Sequence, residues 1–481
     1  MLSAVFKAYD VRGVYPNPLG EDDAWRIGFA AGTFLKQQIA GRKVARADTV
    51  LVSRDMRPSS PSMATALIEG IRAAGMNVID LGMCDTSIIY FAVNHLGAAG
   101  GIQTTASHNP IQYNGFKISG DQAKPIGADT GLKEIQRLAE AAGPRGSVKS
   151  TGKLESHDLW NDYRKHVLKF LAPLKRKVRV FIDASNGMAG KLVPKVFDGV
   201  PNLEIVPLNF EITGSFVHEP NPLVAENMVP TQEGVRKERC DLGACFDGDA
   251  DRCMLTDEKG GIIGCDHLTA LLAHHFVAQE RANSKRGDIP IVYDLRSSKV
   301  VEETVRSLGG TPVRSRVGHV FMKAMLREHD AVFGGELSGH FYFRDNNYAD
   351  SGAITLAVAI SVLAAGKSPL SELVAPFRKY PQSGELNFHV EDKAAVLAGL
   401  KKDYADAAID ELDGITVDAW DDSKIKNQKS KLKSDLGWWF NVRASNTEPL
   451  LRLNAEARDA RILQSLLKQI QPRLGEPAKG H

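Results

Sequence analysis

Three aspartates stand at alternate positions in the stretch DGDADR: Asp247, Asp249 and Asp251. Their carboxylates repel one another, so a small volume that holds all three requires a cation. Oxygen ligands suit a hard divalent ion, and Mg²⁺ is the natural choice where one position stays open for a phosphate oxygen. A second interpretation is an EF-hand, because Glu258 falls at the twelfth position, but Arg252 stands at the sixth, where that loop requires glycine. A solvated acidic turn is the simplest alternative.

A second polar loop, TASHNP, contains Ser107 beside a histidine. Serine in such a loop is most often a turn or cap residue, here supported by Asn109 and Pro110. A hydrolase nucleophile elbow is excluded because G-x-S-x-G is absent. A serine whose loop corresponds to a metal-binding loop suits a phosphoryl carrier, since a phosphoserine oxygen would complete the ligands of the ion. Lys117, ten residues on, can add positive charge at that phosphate.

A third polar stretch, RASNTEP, is predicted as a short loop after the strand GWWFNV. Its guanidinium, two hydroxyls and amide, together with backbone N–H groups in a turn, would form a phosphate cradle. The alternative is a capped turn without a ligand. If the cradle exists, the protein holds two phosphates at once. The residues concerned are Arg443, Ser445, Asn446 and Thr447.

The elements that must position these loops follow a repeated pattern. An apolar strand, an aspartate, a turn and a helix recur in VLVSRDMRPSSPSMATALIEGIRAAG, VRVFIDASNGMAGKLVPKVF and IVYDLRSSKVVEETVRSLGG. A further strand-like run follows each helix, so each repeat predicts a βαβ crossover. Each repeat then leads to a polar loop between strands: QTTASHNPIQYNG, CFDGDADRC and FGGELSGHF. Because α/β proteins keep their chemistry at strand ends, one shared site is expected.

Length and composition agree with a multidomain globular protein. A chain of 481 residues is too long for one core, and 43% hydrophobic and 25% charged residues are ordinary values. We predict an α/β protein with three similar mixed α/β domains, 1–153, 154–265 and 266–376, and a smaller α+β domain, 377–481, around a central cleft. A net charge of +2 provides no strong field towards nucleic acid or membrane.

The cysteines and the termini indicate the compartment. An odd number of cysteines without CxxC spacing favours buried thiols in a reducing environment. The N-terminus MLSAVFKAYDVRG has no signal-peptide pattern, and the apolar run 353–365 is too short to cross a bilayer. We expect a cytoplasmic protein, a monomer or weak dimer, with neither nucleic acid nor membrane as partner. The cysteines are Cys84, Cys240, Cys245, Cys253 and Cys265.

Four motifs in order, TASHNP, DGDADR, GELSGH and RASNTEP, closely resemble those of the α-D-phosphohexomutase superfamily, and within it the bacterial phosphomannomutase/phosphoglucomutase group. FKAYDVRG and the GH of RVGHVFMK are similar to that group as well. The resemblance implies four domains around one deep cleft. It also implies interconversion of hexose 1-phosphate and hexose 6-phosphate, with mannose and glucose as sugars, through a phosphoserine enzyme and a 1,6-bisphosphate.

The resemblance assigns roles to individual residues. Ser107 would be phosphorylated, and Asp247, Asp249 and Asp251 would bind Mg²⁺ with one phosphoserine oxygen. Glucose 1,6-bisphosphate or mannose 1,6-bisphosphate would act as activator. The other implied site residues are Tyr9 and Arg12 near the phosphoserine and substrate; Lys117, Arg252 and His319 for charge or protons; Arg296 and His319 in contact with the substrate; Glu336, Leu337, Ser338, Gly339 and His340 at the sugar; and Arg443, Ser445, Asn446 and Thr447 at the phosphate not being transferred.

Two departures and three rival functions remain. Arg296 stands where similar proteins usually have lysine, and the basic stretch 424–433 has no assigned role. A phosphoglucosamine mutase is the nearest rival, although its sugar loop typically has glutamine where Leu337 stands. A metal-dependent sugar phosphatase would share the aspartates but would not need the second cradle. A catalytically silent sugar-phosphate sensor would lose the serine or an aspartate, and all are present here.

Overall fold

The computed structural model describes residues 2–149, 151–284, 286–427, 436–445 and 450–478. The chain divides into two units. The larger unit comprises Met1–Cys265, Leu326–Gly334 and Ser338–Leu373, and the smaller unit comprises Asp266–Met325, Gly335–Leu337 and Val374–His481. All five cysteines are buried, as predicted. Within the described ranges, none of the helices has the length and apolar character needed to cross a membrane.

The strands, in chain order, are β1 (Val11–Val14), β2 (Arg46–Arg54), β3 (Asn77–Met83), β4 (Ala98–Thr104), β5 (Tyr113–Gly120), β6 (Leu154–Ser156), β7 (Val178–Asp183), β8 (Leu203–Leu208), β9 (Leu242–Phe246), β10 (Cys253–Asp257), β11 (Pro290–Asp294), β12 (Thr311–Ser315), β13 (Phe333–Gly335), β14 (Phe341–Phe343), β15 (Ala349–Asp350), β16 (Gln382–His389), β17 (Ala408–Asp410), β18 (Ile415–Ala419), β19 (Trp438–Ala444), β20 (Leu450–Ala457) and β21 (Glu476–Ala478).

The α-helices are α1 (Glu21–Gln38), α2 (Ser60–Ala73), α3 (Thr86–Leu96), α4 (Leu132–Ala141), α5 (Trp160–Leu168), α6 (Ala189–Phe197), α7 (Ala225–Glu238), α8 (Cys265–Asn283), α9 (Lys299–Ser307), α10 (His319–Glu328), α11 (Gly352–Ala364), α12 (Leu370–Val374), α13 (Lys393–Asp403) and α14 (Ala460–Ile470).

The repeated sequence pattern folds as three parallel strand–helix–strand units. β2 pairs in parallel with β3, β7 with β8, and β11 with β12, and a helix connects the strands of each pair. In each repeat the aspartate at the strand end accepts a hydrogen bond from the backbone N–H two residues later. These aspartates are Asp55, Asp183 and Asp294. The predicted crossovers are therefore confirmed, and the three turns are built alike.

Two sheets of the larger unit bring polar loops to the carboxyl ends of their strands. The first has the order β1-β5-β4-β2-β3-β6, and the second β10-β9-β7-β8. β4 runs parallel to β2, and β9 runs parallel to β7. The loop 105–112 leaves β4 and returns as the antiparallel β5, while the loop 247–252 leaves β9 and returns as the antiparallel β10. Each polar loop thus begins at the edge where α/β proteins bind ligands.

The cores are formed by buried apolar side chains on these elements. In the larger unit α1 and α2 pack closely because glycines face the partner helix: a Cβ at Gly28 would lie 2.2 Å from the carbonyl oxygen of Leu67. In the smaller unit a sheet of order β17-β18-β19-β20-β16-β21 packs against α14, with Phe440 and Leu453 fully buried. Burial of each such side chain contributes roughly 1.5–3 kcal/mol to the stability of the fold that positions the strand ends.

Candidate active site

The three aspartates of the loop between β9 and β10 form one cluster in the larger unit, named here the carboxylate cluster. Asp247, Asp249 and Asp251 each offer an oxygen, and these oxygens all lie within 4.8 Å of one another. All three side chains are buried. Asp249 Oδ1 and Asp251 Oδ1 have no hydrogen-bond donor among the described residues. Buried, unpartnered carboxylate oxygens at this spacing fit a divalent cation such as Mg²⁺.

Electrostatics support the same conclusion. Burial, followed by the charges of Asp251 and Asp249, raises the pKa of Asp247 well above its usual range. Lys117 Nζ on β5 lies 2.7 Å from Asp249 Oδ2 and 2.5 Å from Asp251 Oδ2. Although burial opposes it, these two charges raise the pKa of Lys117 well above its usual range. One lysine therefore balances part of the charge of three carboxylates.

Ser107 lies at the edge of the carboxylate cluster. Its Oγ donates to Asp247 Oδ2 at 2.9 Å, and the side chain is fully buried. The backbone of Ser107 has φ 51°, in the left-handed region that non-glycine residues rarely adopt. His108 Nδ1 lies 3.4 Å from Ser107 Oγ. Burial, followed by the charges of Arg252 and Arg12, lowers the pKa of His108 well below its usual range, so its imidazole is neutral.

Two arginines contact the loops that carry Ser107 and the carboxylate cluster. Arg12 on β1 donates to Asn109 Oδ1 in the loop 105–112, named here the serine loop, and Tyr9 lies half-buried just before that strand. Arg252 donates through its backbone N–H to Asp247 Oδ1 at 3.2 Å and through Nε to His340 Nε2 at 3.2 Å.

The ring of His340 has a fixed orientation. Its Nδ1 lies 2.7 Å from Asp350 Oδ2 and 3.8 Å from Asp251 Oδ1. Because Nε2 accepts the hydrogen bond of Arg252, the ring proton resides on Nδ1 and faces Asp350. The residues predicted at the sugar, 336–340, are named here the sugar loop. Two of them, next to His340 in the sequence, also lie in the larger unit. Ser338 Oγ is buried without a partner among the described residues, and Gly339 has φ 86°.

The rest of the predicted sugar loop lies in the smaller unit. Glu336, 3% exposed, accepts the backbone N–H of Gly318 at Oε1, 3.0 Å away, directly before His319 begins α10. The backbone N–H of Leu337 donates to Asp294 Oδ2 at 2.8 Å. The carboxylate at the end of the third repeat thus fixes the backbone beside Glu336.

A second charged cluster in the smaller unit, named here the arginine cluster, consists of Arg296, Arg443 and Arg452 with Glu385. Glu385 Oε2 lies 2.7 Å from Arg443 and 3.3 Å from Arg296, and Oε1 lies 3.0 Å from Arg452. Although burial opposes it, these guanidiniums lower the pKa of Glu385. Burial, followed by the charge of Arg296, also lowers the pKa of Arg443. Three guanidiniums around one carboxylate leave capacity for a further anion.

One sequence-based placement is wrong. Arg443 lies inside β19 and not in the loop that follows it, because the strand continues to Ala444 to pair with β20. Ser445 does lie in the loop, where its N–H donates to the carbonyl of Leu450. Asn446 and Thr447, and most of the basic stretch 424–433, lie outside the described residues.

In the larger unit the structure brings together Ser107, the carboxylate cluster, Lys117, Arg252 and His340. In the smaller unit it brings Arg296 near Glu336, with 3.8 Å between Arg296 Nη2 and Glu336 Oε1, and both Arg296 and Arg443 to Glu385. Sequence reasoning missed several supporting residues. Asp55 and Asp294 are strand-end aspartates of the repeat, and Arg57 shares the Asp-x-Arg pattern of Arg296, so the repeat is their signal; the others have no local signal. These residues are Asp55, Arg57, Thr86, Asp294, Asp350, Glu385 and Arg452.

Thr86 illustrates such a missed residue. It begins α3, distant in sequence from the carboxylate cluster, and its Oγ1 donates to Asp249 Oδ2 at 2.5 Å. Its backbone N–H also donates to the carbonyl of Asp249. The amino end of a helix is favourable for a carboxylate, so α3 helps to hold Asp249 in its charged form.

Comparisons with known proteins identify the family. Models of the phosphoglucomutase/phosphomannomutase family match in chain order: alpha/beta/alpha domain I at 3–145, domain II at 161–261, domain III at 265–380 and the C-terminal domain at 385–472. The predicted fold class, three α/β domains followed by a C-terminal domain, is confirmed by these matches.

Relatives agree over almost the full length. A phosphomannomutase of Salmonella montevideo is 38% identical over 97% of this chain and 97% of its own, and phosphohexose mutases of Xanthomonas campestris are 39% identical over 98% and 99%. The crystal structure of a phosphoglucomutase/phosphomannomutase family protein from Burkholderia thailandensis is 31% identical, covers 99% of both chains and has a TM-score of 0.83. The chain therefore belongs to the phosphoglucomutase/phosphomannomutase family and is a mutase that transfers phosphoryl groups.

Proposed function

We propose that Ser107 is the phosphoryl carrier of a hexose-phosphate mutase. The observation that supports this most directly is the 2.9 Å hydrogen bond between Ser107 Oγ and Asp247 within the carboxylate cluster. A phosphate on Ser107 would extend from a buried, fixed oxygen towards an ion held by three carboxylates. Such a site stabilises a phosphoryl group that is gained and lost in each cycle.

Mg²⁺ is the proposed ion, held by Asp247, Asp249 and Asp251 together with an oxygen of phosphorylated Ser107. When bound, it supplies electrostatic stabilisation of the charge that develops on the transferred phosphoryl group. The unpartnered Oδ1 atoms of Asp249 and Asp251 are the oxygens with capacity for it. Glucose 1,6-bisphosphate or mannose 1,6-bisphosphate is the proposed activator, since it can phosphorylate a serine that has lost its phosphate.

The reaction consists of two transfers. A free sugar hydroxyl of a hexose phosphate attacks phosphorus, the bond from phosphorus to Ser107 Oγ breaks, and a 1,6-bisphosphate forms. After the bisphosphate turns, Ser107 Oγ attacks the other phosphate and the bond from that phosphorus to the sugar oxygen breaks. We assign stabilisation of the phosphoryl charge to Lys117 and Arg252, and proton transfer to His319. Arg12 and Tyr9 are proposed to contact the phosphoserine and substrate.

We assign binding of the sugar to the sugar loop. We assign binding of the phosphate that is not being transferred to the arginine cluster. Three guanidiniums with one carboxylate between them support an anion site of this kind. Remote binding of that phosphate provides energy to orient the reacting end. The proposed sugar residues are Glu336, Leu337, Ser338, Gly339 and His340, and the proposed phosphate residues are Arg296, Arg443, Ser445, Asn446 and Thr447.

Mannose and glucose phosphates are both proposed substrates. These sugars differ only at the 2-hydroxyl, and a bisphosphate that binds in two orientations is best recognised through its equatorial 3- and 4-hydroxyls. Glu336 and Ser338 are assigned to those hydroxyls, so discrimination at the 2-position should stay within about 10–200-fold. Galactose phosphates, with an axial 4-hydroxyl, would leave a buried polar group unpaired and should react much more slowly.

The test combines intact-protein mass spectrometry with mutase assays. The expected result is one phosphate on the wild type, none on Ser107→Ala, and nearly complete loss of turnover in that variant while hexose phosphate still binds. Assays use glucose, mannose, galactose and glucosamine 1-phosphates, each with a trace of the matching bisphosphate. Near-normal activity of Ser107→Ala, or galactose as good a substrate as glucose, contradicts the proposal.

The rival functions give different products. A sugar phosphatase would release inorganic phosphate without forming the isomer. A phosphoglucosamine mutase would prefer glucosamine 1-phosphate over both mannose and glucose 1-phosphates. The further proposals are four domains with boundaries at 153, 265 and 376 and a monomer or weak dimer in solution, which sedimentation and limited proteolysis test.

A further inference from the structure

Arg57 is a fully buried arginine whose five N–H groups all have acceptors. Nε donates to Asp55 Oδ2 at 3.0 Å. Nη2 donates to the carbonyl oxygens of Ser107 and Asn109 at 2.8 and 2.7 Å. Nη1 donates to the carbonyls of Pro110 and Tyr113 at 2.6 and 3.0 Å. A single guanidinium thus binds the backbone of the serine loop at four points.

The backbone N–H of Ser107 is connected to the carboxylate of Asp55, which also accepts the Nε–H of Arg57. The backbone N–H of Ser107 donates to Thr105 Oγ1 at 2.9 Å, and Thr105 Oγ1 donates to Asp55 Oδ2 at 2.7 Å. The parallel register of β2 and β4 pairs Arg54 with Thr104, so Asp55 and Thr105 follow side by side. The N–H and the C=O of Ser107 are therefore both tied, through Thr105 and Arg57, to Asp55.

These hydrogen bonds hold Ser107 in a left-handed backbone conformation, which serine rarely adopts. A left-handed φ at a non-glycine residue persists only when its surroundings determine it from several sides. In this conformation, with φ 51°, Ser107 Oγ donates to Asp247 Oδ2 at 2.9 Å. A helical or extended backbone at this position would turn the side chain elsewhere.

The contacts are concentrated on the reacting loop. All four carbonyl acceptors of Arg57 lie between Ser107 and Tyr113, and the ring of Phe216 lies over the guanidinium, 5.6 Å from Cζ to centroid. Burying an arginine is costly, and here the cost is offset because every N–H group of the guanidinium has an acceptor, four of them backbone carbonyls of the segment 107–113. The choice of arginine fits a function that needs five fixed donors.

We propose that Arg57, with Asp55 and Thr105, is a positioning group that holds Ser107 in the left-handed conformation required for phosphoryl transfer. This inference rests on the proposed role of Ser107. Arg57 donates to none of the three aspartates of the carboxylate cluster, and its contact with Ser107 is to the backbone carbonyl. It therefore acts through the backbone of Ser107.

The test uses Arg57→Lys, which keeps the charge but cannot bind four carbonyls at once. We expect kcat to fall by about 10–100-fold, since a small displacement of a reacting group has effects of this size. The rate of Ser107 phosphorylation by the bisphosphate should fall by the same factor, while KM for the hexose phosphate stays within about twofold because the hydroxyl and phosphate contacts of the substrate are untouched.

A second pair of variants serves if Arg57→Lys does not fold. Thr105→Val removes the hydroxyl that accepts the Ser107 N–H, and Thr105→Ser restores it. The valine variant should lose kcat and the serine variant should recover most of the loss. Arg72→Lys is the matched control, because Arg72 donates to the carbonyl of Gly152, outside the serine loop, and should leave kcat and KM unchanged.

The inference is overturned if folded Arg57→Lys has wild-type kcat and phosphorylation rate, or if KM rises by the same factor as kcat falls. It is also overturned if Thr105→Ser is as impaired as Thr105→Val. Failure of the proposed function gives a different result. If Ser107→Ala is active, Ser107 is not the phosphoryl carrier and the proposed function fails. If Ser107→Ala is inactive but Arg57→Lys has normal kinetics, only the positioning role of Arg57 is refuted.

Discussion

The carboxylate cluster and the arginine cluster have opposite charge and a similar construction. In the carboxylate cluster three aspartates surround one lysine, with Lys117 Nζ 2.7 and 2.5 Å from two of them. In the arginine cluster three arginines surround one glutamate, with Glu385 between 2.7 and 3.3 Å from each. In both, one side chain of the minority sign contacts two or more of the majority groups, and a second lies beside one of them: Arg252 is 3.6 Å from Asp247, and Asp294 is 2.8 Å from Arg296.

The opposite charges of the two clusters determine what each can bind. A buried group of like charges is stable only with counter-charge. Lys117 and Arg252 contact three aspartates, and Arg443 and Arg452 share Glu385, so each cluster keeps charge of its own sign. The carboxylate cluster therefore has capacity for a cation and the arginine cluster for an anion. A mutase that transfers one phosphate and retains another requires both capacities, and perturbing each cluster separately tests the assignment.

The largest expected effect is at the carboxylate cluster. Asp249→Asn removes one of the three negative charges proposed to hold Mg²⁺ and should lower kcat by at least about 10²-fold. Excess EDTA should abolish activity of the wild type, and added Mg²⁺ should restore it. Initial rates with a coupled mutase assay measure both effects.

The matched control for that variant is Asp257→Asn. Asp257 is a buried aspartate at the end of β10 that accepts the N–H groups of Lys259 and Gly261, and asparagine can keep one acceptor there. This variant should retain most of the activity. Equal activity of Asp249→Asn and the wild type, or full activity in EDTA, contradicts a metal role for the cluster.

A smaller effect is expected at the arginine cluster. Arg443→Lys keeps the charge but loses the forked geometry that matches phosphate. We expect kcat/KM to fall by about 10–100-fold, mostly through KM, because charged hydrogen bonds contribute about 1.5–3 kcal/mol. Arg461→Lys, an exposed change on α14, is the control. An unchanged KM, or a fall in kcat alone, would show that Arg443 does not bind the retained phosphate.

Much of the fold was predictable because it repeats. An apolar strand, an aspartate and an amphipathic helix recur three times, and each repeat forms the parallel crossover that its pattern predicts. The extent of β19 was not predictable from its residues, since pairing with β20 extends the strand through Arg443. The division of residues 266–376 between two units also depends on tertiary packing that no local pattern encodes.

The site was predictable where its residues are neighbours in the sequence. The carboxylate cluster arises from alternate positions of one loop, so spacing alone indicated it. Glu385 and Arg452 were missed because they lie on different strands of one sheet and meet only through the antiparallel pairing of β16 and β20. Arg57 was missed although its Asp-x-Arg turn repeats that of Arg296, because nothing local distinguishes a guanidinium bound to backbone from one bound to carboxylates.

The smallest expected effect concerns the minority charge of the arginine cluster. Glu385→Gln removes the carboxylate that Arg296, Arg443 and Arg452 share, so the variant should melt about 2–4 °C below the wild type at pH 7. Arg296 keeps its contact with Asp294 in this variant. The guanidiniums hold the pKa of Glu385 below its ordinary 4.5, so this ionic stabilisation is present above pH 4.5 and is lost as the pH falls through the pKa of the folded protein. The difference in melting temperature should therefore be constant above that pH and shrink below it.

Inorganic phosphate tests whether Glu385 occupies the place of an anion in the arginine cluster. If the cluster binds an anion, phosphate should raise the melting temperature of Glu385→Gln more than that of the wild type, because it replaces the missing negative charge. Sulfate at equal ionic strength tests the shared anion chemistry, and chloride controls for screening, since screening alone affects both proteins similarly. An equal response of the two proteins to phosphate would show that Glu385 does not compete with the anion, and the parallel with Lys117 in the carboxylate cluster would then fail.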